Sequence, residues 1–123
     1  GLGNLYAAVT DAAAQDTLDA AWASGIRLLD TAPYYGHGLS ESRLGAFLAR
    51  VDAGRAVIST KVGRSLEPAA PGAVPDHGFV DPLPNRPRFD YSADAIRRQV
   101  DASGGRLGLE RFGMLLLHDI GPM

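Results

Sequence analysis

The stretch LLDTAPYYGHGLSESRLG, which occupies residues 28–45, has the pattern of a strand end, a polar loop and a helix. Its apolar residues stop at Asp30, and a proline and two glycines then interrupt regular structure. Ser40 has the chemistry of a helix N-cap, and Glu41 would follow in the first turn, where the helix dipole favours negative charge. We therefore expect Asp30 at the carboxyl end of a strand and Tyr35 in the loop after it. Taken alone, the two residues are also consistent with a loop carboxylate and a packed aromatic.

Length and composition limit the classes of protein that this chain fits. With 123 residues, 46% of them hydrophobic and 21% charged, the sequence is typical of one globular domain. Its net charge of -2 disfavours a nucleic-acid-binding surface, and no apolar run approaches the roughly 18 residues of a membrane span. The absence of cysteine excludes disulfides and thiolate metal sites, and it fits a reducing, cytoplasmic compartment. Because the chain starts at Gly1 and stops soon after a strand-like run, we expect a domain truncated at both ends.

Hydrophobic periodicity predicts alternating helices and strands along the chain. Thr10 and Ser92 have the chemistry of N-caps, and apolar residues recur at helical spacing after each of them. Helices are predicted from about 11 to 24, 41 to 51 and 93 towards 106, and strands at 26–29, 56–60 and 114–117. Gly104 and Gly105 each disfavour a helix by about 1 kcal/mol relative to alanine, so we expect the third helix to end early, near Ser103.

Titratable side chains follow each of the three predicted strands. Asp30 ends the first, Lys61 the second and His118 the third, and Tyr35 lies in the loop after Asp30. Alternation of helix and strand at this spacing implies parallel βαβ units, whose strands all end at one edge of the sheet. Singly, Lys61 is consistent with a solvated lysine and His118 with a structural histidine. Four such residues at one edge favour a functional site instead.

The chemistry of these four residues favours proton transfer at a carbonyl or an alcohol. A lysine ammonium stabilises a neighbouring tyrosine phenolate, an aspartate holds the lysine in place, and a histidine orients a carbonyl or relays a proton. None of these four residue types supplies a hydride, so a cofactor has to. We expect no metal, because His37, His77 and His118 are far apart in sequence, and the chain lacks an activated-serine motif.

The segment 63–91 is expected to be a long irregular loop with a functional role. It contains six of the eight prolines, and its aromatic residues Phe79, Phe89 and Tyr91 argue against simple disorder. Because it follows the strand that ends at Lys61, it should emerge at the edge where the titratable residues meet. We therefore predict that residues 79–89 lie over the substrate site.

Several motifs carry a resemblance to a known family. DTAPYYG occupies residues 30–36, SESRLG residues 40–45 and STKVG residues 59–63, and LGLER at 107–111 leads into LLLH at 115–118. Together they resemble the aldo-keto reductase family over essentially the whole chain. The resemblance implies a (β/α)8 barrel, an α/β fold of which this chain would supply the N-terminal part, about three βα units and one further strand.

The resemblance also implies a catalytic tetrad of Asp30, Tyr35, Lys61 and His118. In the family the tyrosine is the general acid and base, helped by the lysine and the aspartate, and the histidine helps to orient the substrate. The cofactor is NADPH or NADH, and Asp30 and Lys61 are the residues of this chain expected to contact it. The family's main contacts to the dinucleotide phosphates come from later strands and loops. Gly104 and Gly113 depart from the family pattern and are expected to weaken packing.

One branch of the family is matched through GFVDPLP at 78–84 and HDIG at 118–121. This branch comprises L-fucose (D-threo-aldose) 1-dehydrogenases and pyridoxal 4-dehydrogenases, which oxidise a cyclic hemiacetal to a lactone with NAD(P)+. The resemblance therefore implies a sugar or aldehyde substrate. Two alternatives stay open: a non-catalytic cofactor-binding subunit, as in the redox-sensing potassium-channel subunits of the family, and an inactive fragment, since such barrels run to about 250 residues. The sequence does not fix the substrate, the choice between NAD and NADP, or the oligomeric state.

Overall fold

The computed structural model describes residues 1–122, which contain three α-helices and five β-strands. The helices are α1 (Asp11–Ala23), α2 (Leu39–Leu48) and α3 (Ala93–Leu107), and the strands are β1 (Leu28–Asp30), β2 (Val57–Val62), β3 (Arg64–Pro68), β4 (Asn85–Phe89) and β5 (Met114–Leu117). The strands β1, β2 and β5 form a parallel sheet in that order, and β3 and β4 form an antiparallel hairpin. The predicted alternation of helices and parallel strands is therefore confirmed.

The helices pack against the sheet through one apolar core. Its buried members are Leu18, Leu44, Phe47, Leu48, Ile58 and Leu107. Full burial of an aliphatic or aromatic side chain of this size stabilises the fold by about 1.5–3 kcal/mol. Half of the six come from α2, which contacts both α1 and α3. The loop between β1 and α2 is thereby held at a fixed place over the sheet.

The first and third helices begin where the sequence predicts. Thr10 accepts a hydrogen bond of 3.1 Å from the Ala13 amide, and Ser92 accepts one of 3.3 Å from the Ala95 amide. These caps satisfy amides that have no partner inside the helix. None of the helices within residues 1–122 has the length and apolar character to cross a membrane.

The second helix begins at Leu39, and the prediction of Ser40 as its N-cap is wrong. The N-cap is Gly38, whose left-handed backbone conformation (φ 104°) turns the chain into the helix. Ser40 lies inside the first turn, where its hydroxyl is 2.8 Å from that of Thr31. This hydrogen bond ties the start of α2 to the residue that follows β1.

Glu41 lies in the first turn of α2, as expected, but it is fully buried. Its Oε1 accepts hydrogen bonds from Ser103 at 3.2 Å and from Thr60 at 3.5 Å, and its Oε2 is 3.4 Å from Nε of Arg106. Burial raises the pKa of Glu41, and Arg106 and the hydroxyl groups oppose that rise. The carboxylate therefore joins α2 to β2 and α3.

The strands β1 and β2 begin one or two residues later than predicted and also end one or two residues later, so that they include Asp30 and Lys61 themselves. The register pairs Asp30 with Ser59 and Lys61 with Leu116. The last strand, β5, has the predicted bounds, whereas α2 ends at Leu48, earlier than predicted. These shifts leave the predicted order of strand ends unchanged.

The segment 63–91 is more regular than predicted, because β3 and β4 pair along their whole length. The hydrophobic pattern did not reveal these strands, since each contains a proline. The loop 69–84 between them folds back on the N-terminal residues, where Leu5 forms an isolated bridge with Phe79. The hairpin loop and the N-terminus therefore pack together.

The third helix continues through its glycine pair to Leu107, so the expected early end near Ser103 is wrong. A Cβ on Gly104 would lie 2.7 Å from the carbonyl oxygen of Leu109. Such a contact is too short for any side chain, and it explains why a glycine stands inside the helix. Gly104 permits close packing and does not weaken it.

The expectation that Gly113, just before β5, weakens packing is also wrong. A Cβ at this position would lie 2.5 Å from Cγ1 of Val57, and the Gly113 amide donates a 2.8 Å hydrogen bond to Ile58. The glycine therefore lets β5 enter the sheet close to β2.

The strands β1 and β5 are the two edges of the parallel sheet. The four apolar side chains of β5 are between 42% and 52% exposed, and Leu28 at the other edge is 54% exposed. Unpaired edges and exposed apolar side chains of this kind favour pairing with further strands.

Candidate active site

Asp30 and Lys61 form an ion pair at the carboxyl ends of β1 and β2. The Lys61 Nζ lies 2.8 Å from Oδ2 of Asp30 and donates a second hydrogen bond, of 2.9 Å, to the carbonyl oxygen of Thr31. The Lys61 side chain is 11% exposed and that of Asp30 is 50% exposed. Lys61 is therefore not a solvated lysine at a strand end.

Tyr35 and His118 lie beside this ion pair. Nζ of Lys61 is 4.8 Å from the centroid of the Tyr35 ring, and the rings of Tyr35 and His118 are 5.8 Å apart between centroids. His118 is buried directly after β5, where its amide donates a 2.9 Å hydrogen bond to the carbonyl of Val62. The structure thus brings together the four residues that the sequence places at one edge of the sheet.

Arg64, the first residue of β3, belongs to the same cluster, and sequence reasoning missed it. Its Nη1 is 3.3 Å from Nδ1 and 3.5 Å from Nε2 of His118, and its Nη2 forms a 2.6 Å ion pair with Asp119. The guanidinium also lies over the ring of Tyr34, with Cζ 4.0 Å from the centroid. In the sequence, only the position of Arg64 could have pointed to this role, because it lies shortly after Lys61, where the chain leaves β2.

The charges around His118 favour a neutral imidazole. Burial lowers the pKa of His118, and the positive charge of Arg64 lowers it further, whereas Asp119 opposes the shift. The hydrogen bond from Arg64 holds the pKa of Asp119 below its ordinary value of 3.8. Near neutral pH the site therefore contains an uncharged histidine beside an arginine–aspartate pair.

A cavity of about 490 Å³ opens next to these residues. Asp30 and Tyr35 line it together with the aromatic side chains of Tyr34, His77 and Phe79. The ring of Tyr34 packs edge-on against Phe79, with 5.2 Å between centroids, and lies 5.4 Å from His77. An apolar wall with a few polar groups is typical of sites for small molecules.

Residues 79–89, which were predicted to lie over the substrate site, contribute one residue, Phe79, to the lining of this cavity. Residues 85–89 form β4, where Phe89 packs against the guanidinium of Arg64 at 4.7 Å. His77, just before the predicted range, also lines the cavity.

His37 supports the cavity wall from inside the protein. It is fully buried, its Nε2 is 3.2 Å from Nδ1 of His77, and its carbonyl accepts a 2.9 Å hydrogen bond from Asn85. Burial lowers the pKa of His37, and His77 lowers it further. His37 and His77 are therefore in contact although they are far apart in sequence, contrary to what their separation suggested. Among residues 1–122, no group of three or more histidine, cysteine or acidic residues could hold a metal ion.

The residues of the cluster fit a nicotinamide dinucleotide. Tyrosine, lysine and histidine side chains can hold or move protons, and none of them is redox-active, so a bound hydride carrier would complete the chemistry. Asp30 lines the cavity and is ion-paired with Lys61.

The aldo/keto reductase family model matches residues 1–123, and the chain belongs to this family. Aldo/keto reductases use NADPH or NADH. The family predicted from the sequence motifs is therefore confirmed.

The chain is 45% identical over 122 residues to D-threo-aldose 1-dehydrogenase from a Pseudomonas species. It is 46% identical over 129 residues to pyridoxal 4-dehydrogenase from Microbacterium luteolum. The alignments cover 96% and 98% of this chain but 37% of each relative, so the chain spans little more than a third of their length.

Solved structures of the same family share the fold. The aldo-keto reductase from Bacillus halodurans, in its holo form, matches with a TM-score of 0.70 at 26% identity. The match covers 95% of this chain and 34% of that one. The architecture described above is therefore the N-terminal part of a (β/α)8 barrel, as the resemblance implied.

Proposed function

We propose that the complete protein is an NAD(P)-dependent dehydrogenase that oxidises the cyclic hemiacetal of an aldose to a lactone. The observation that carries this proposal is the cluster of Asp30, Tyr35, Lys61 and His118 beside an aromatic-walled cavity. Similarity to a D-threo-aldose 1-dehydrogenase supports a sugar as the substrate. The lack of cysteine supports a reducing, cytoplasmic location.

Tyr35 is the general base in this proposal. As its phenolate, it accepts the proton of the hemiacetal hydroxyl, and the ammonium of Lys61, 4.8 Å from the ring centroid, stabilises the negative charge. Asp30 and the Thr31 carbonyl hold that ammonium in place. A bound NAD(P)+ would supply the hydride acceptor, and loss of the hydride from carbon and of the proton from the hydroxyl would leave the hemiacetal carbon as the lactone carbonyl.

His118 orients the substrate. Because its imidazole is neutral, one ring nitrogen carries a proton and can donate a hydrogen bond to a substrate oxygen. The wall formed by Tyr34 and Phe79 suits the apolar face of a sugar ring, while the carboxylate of Asp30 offers an acceptor at the same cavity.

A second candidate function is a pyridoxal 4-dehydrogenase-like activity. The 46% identity to the Microbacterium luteolum enzyme supports it, and the aromatic rings of Tyr34 and Phe79 suit a flat pyridine ring as well as a sugar face. Both candidates share one chemistry, because each substrate offers a cyclic hemiacetal to the same general base.

An assay of the full-length protein separates these candidates. The protein is incubated with L-fucose or with pyridoxal, each with NAD+ and with NADP+, and formation of the reduced cofactor and of the lactone is measured. Turnover of L-fucose with loss of activity in the Tyr35→Phe variant is expected. Preference for pyridoxal would favour the second candidate. Tight cofactor binding without turnover of either substrate would overturn both, and would favour a non-catalytic cofactor-binding subunit.

A further inference from the structure

Arg64 is held rigidly at the site by groups from three different segments. It is 8% exposed, and its guanidinium lies 4.0 Å from the Tyr34 ring centroid and 4.7 Å from that of Phe89. Nη2 forms the 2.6 Å ion pair with Asp119. An arginine enclosed in this way cannot turn towards solvent. Its charge therefore stays beside the group that contacts the guanidinium on its one remaining side.

His118 lies on that side. Nη1 of Arg64 is almost equally distant from the two ring nitrogens, at 3.3 Å and 3.5 Å. Because neither ring nitrogen is clearly closer, the guanidinium acts on the imidazole mainly through its positive charge and not through one directed hydrogen bond. A guanidinium has donors and no acceptor, so a proton added to the imidazole would face a fixed cation.

Charged groups from β1, β2 and β3, and one from the residue after His118, act on the imidazole. Arg64 comes from β3, Lys61 from β2, Asp30 from β1, and Asp119 follows the histidine itself. Lys61 and Asp30 are paired with each other at 2.8 Å, so their effects on the imidazole largely cancel. Nη1 of Arg64 is closer to the ring nitrogens than Oδ2 of Asp119, which is 3.7 Å from Nε2. The rings of Tyr34 and Tyr35 lie edge-on to the imidazole, with 6.0 Å and 5.8 Å between centroids, and the Tyr91 hydroxyl donates a hydrogen bond to the His118 carbonyl.

We propose that Arg64 is a positioning residue for His118, which it keeps neutral and fixes in orientation by holding the neighbouring Asp119. The proposal rests on the proposed function, in which a neutral His118 donates a hydrogen bond to the substrate oxygen. Arg64 thus widens the pH range in which that donor is in the correct state. The lowered pKa of His118 agrees with this role.

Two substitutions in the full-length protein test the proposal through opposite effects. Arg64→Met removes the cation and leaves Asp119 unpaired beside the histidine, so the titration of His118 should move to higher pH by about one unit. Asp119→Asn removes the opposing anion, so the titration should move to lower pH. Arg64→Lys keeps a positive charge and should return the titration towards that of the wild type. Arg88→Met, on the same hairpin but 69% exposed and paired with Glu67, is the matched control.

The titration is read by NMR of the histidine ring protons, with the His118 signal identified by its loss in His118→Gln. The acid limb of kcat/KM against pH is measured in parallel and should move with the NMR signal. If Arg64→Met shows the same His118 titration as Arg88→Met, the proposal is wrong. If Arg64→Met does not fold, Asp119→Asn decides. Titration of His118 at the same or a higher pH in that variant overturns the proposal. Shifts in the expected directions in a protein that turns over neither L-fucose nor pyridoxal would refute the proposed function and leave the electrostatic role of Arg64 standing.

Discussion

The ammonium of Lys61 is held between two oxygens at the end of β1, the carboxylate of Asp30, its last residue, at 2.8 Å and the carbonyl of Thr31, which follows it, at 2.9 Å. The parallel register produces this geometry, since Asp30 pairs with Ser59 and the Lys61 side chain reaches across from two residues further along. Lys61 is 11% exposed, so its charge is poorly screened by water. A fixed cation therefore stands 4.8 Å from the Tyr35 ring centroid.

Replacing Lys61 with Met tests the role of this cation in the full-length enzyme. Turnover should fall by at least about 10²-fold, because negative charge on the Tyr35 oxygen loses its stabilising cation. Lys61→Arg keeps the charge and serves as the control. A loss of less than about tenfold for Lys61→Met would contradict the assigned role.

Replacing Tyr35 with Phe tests the general base itself. Loss of the hydroxyl should cost about 10²–10⁴ in turnover, the usual contribution of general-base catalysis. Cofactor affinity should barely change, because the phenol is not expected to contact the dinucleotide phosphates. Steady-state rates with L-fucose and a fluorescence titration of the cofactor measure the two effects separately. Retention of more than about a tenth of the activity, outside that range, would mean that Tyr35 is a packed aromatic.

The candidate site was largely predictable because it depends on topology. Each predicted strand ends near a titratable residue, and parallel strands must end at one edge, so errors of one or two residues in strand bounds did not move Asp30, Lys61 or His118 off that edge. Tyr35 followed from the same logic, since it lies in the loop after β1. Local periodicity and one rule of chain connectivity were sufficient for this part of the molecule.

Arg64 and the wall of the cavity were not predictable in the same way. The contacts of Arg64 join β3 to residues 54 and 55 positions away, His118 and Asp119, and no local pattern encodes them. The hairpin was hidden because prolines interrupt both of its strands. Ser40 was misassigned as a cap because its hydroxyl has a tertiary partner, Thr31, which the helix signal does not contain.

The glycine pair of α3 gives a prediction about stability. A Cβ on Gly105 would meet nothing within 4 Å among the described residues, so Gly105→Ala should stabilise the full-length protein by about 0.5–1 kcal/mol. Gly104→Ala should destabilise it, because its Cβ would lie 2.7 Å from the Leu109 carbonyl oxygen. Urea unfolding of both variants measures the difference. Equal effects of the two substitutions would show that the close approach at Gly104 is not rigid.

The buried carboxylate of Glu41 predicts a pH dependence of stability. Its pKa is raised above the ordinary 4.5, so the folded protein binds more protons than the unfolded chain between that value and the raised one. The contribution of Glu41 to stability is therefore fully present below pH 4.5 and is lost as pH rises through the folded pKa. Glutamine does not titrate, so the Glu41→Gln variant has no such pH dependence at this position. The free energy of unfolding of the wild type should therefore fall relative to that of the variant as pH rises. Parallel stability curves for the two proteins would refute the prediction.

The isolated chain of residues 1–123 should associate with itself or remain loosely folded. The apolar side chains of β5 are at least 42% exposed, and β5 presents an unpaired edge, a combination that favours pairing between chains. The isolated chain should also bind NADPH weakly. Size-exclusion chromatography, thermal melting and a cofactor titration measure these properties.

A matched pair of variants of the isolated chain connects the association to the sheet edge. Leu115→Lys places a charge on β5 and should reduce association, since a lysine on an edge strand opposes strand pairing. Ala20→Lys adds the same charge on the exposed side of α1 and should leave association unchanged. If both variants reduce association equally, net charge and not the open edge controls it. A monodisperse wild-type monomer with a sharp cooperative melt and tight NADPH binding would show that these residues form a self-sufficient domain, contrary to what the exposed strands predict.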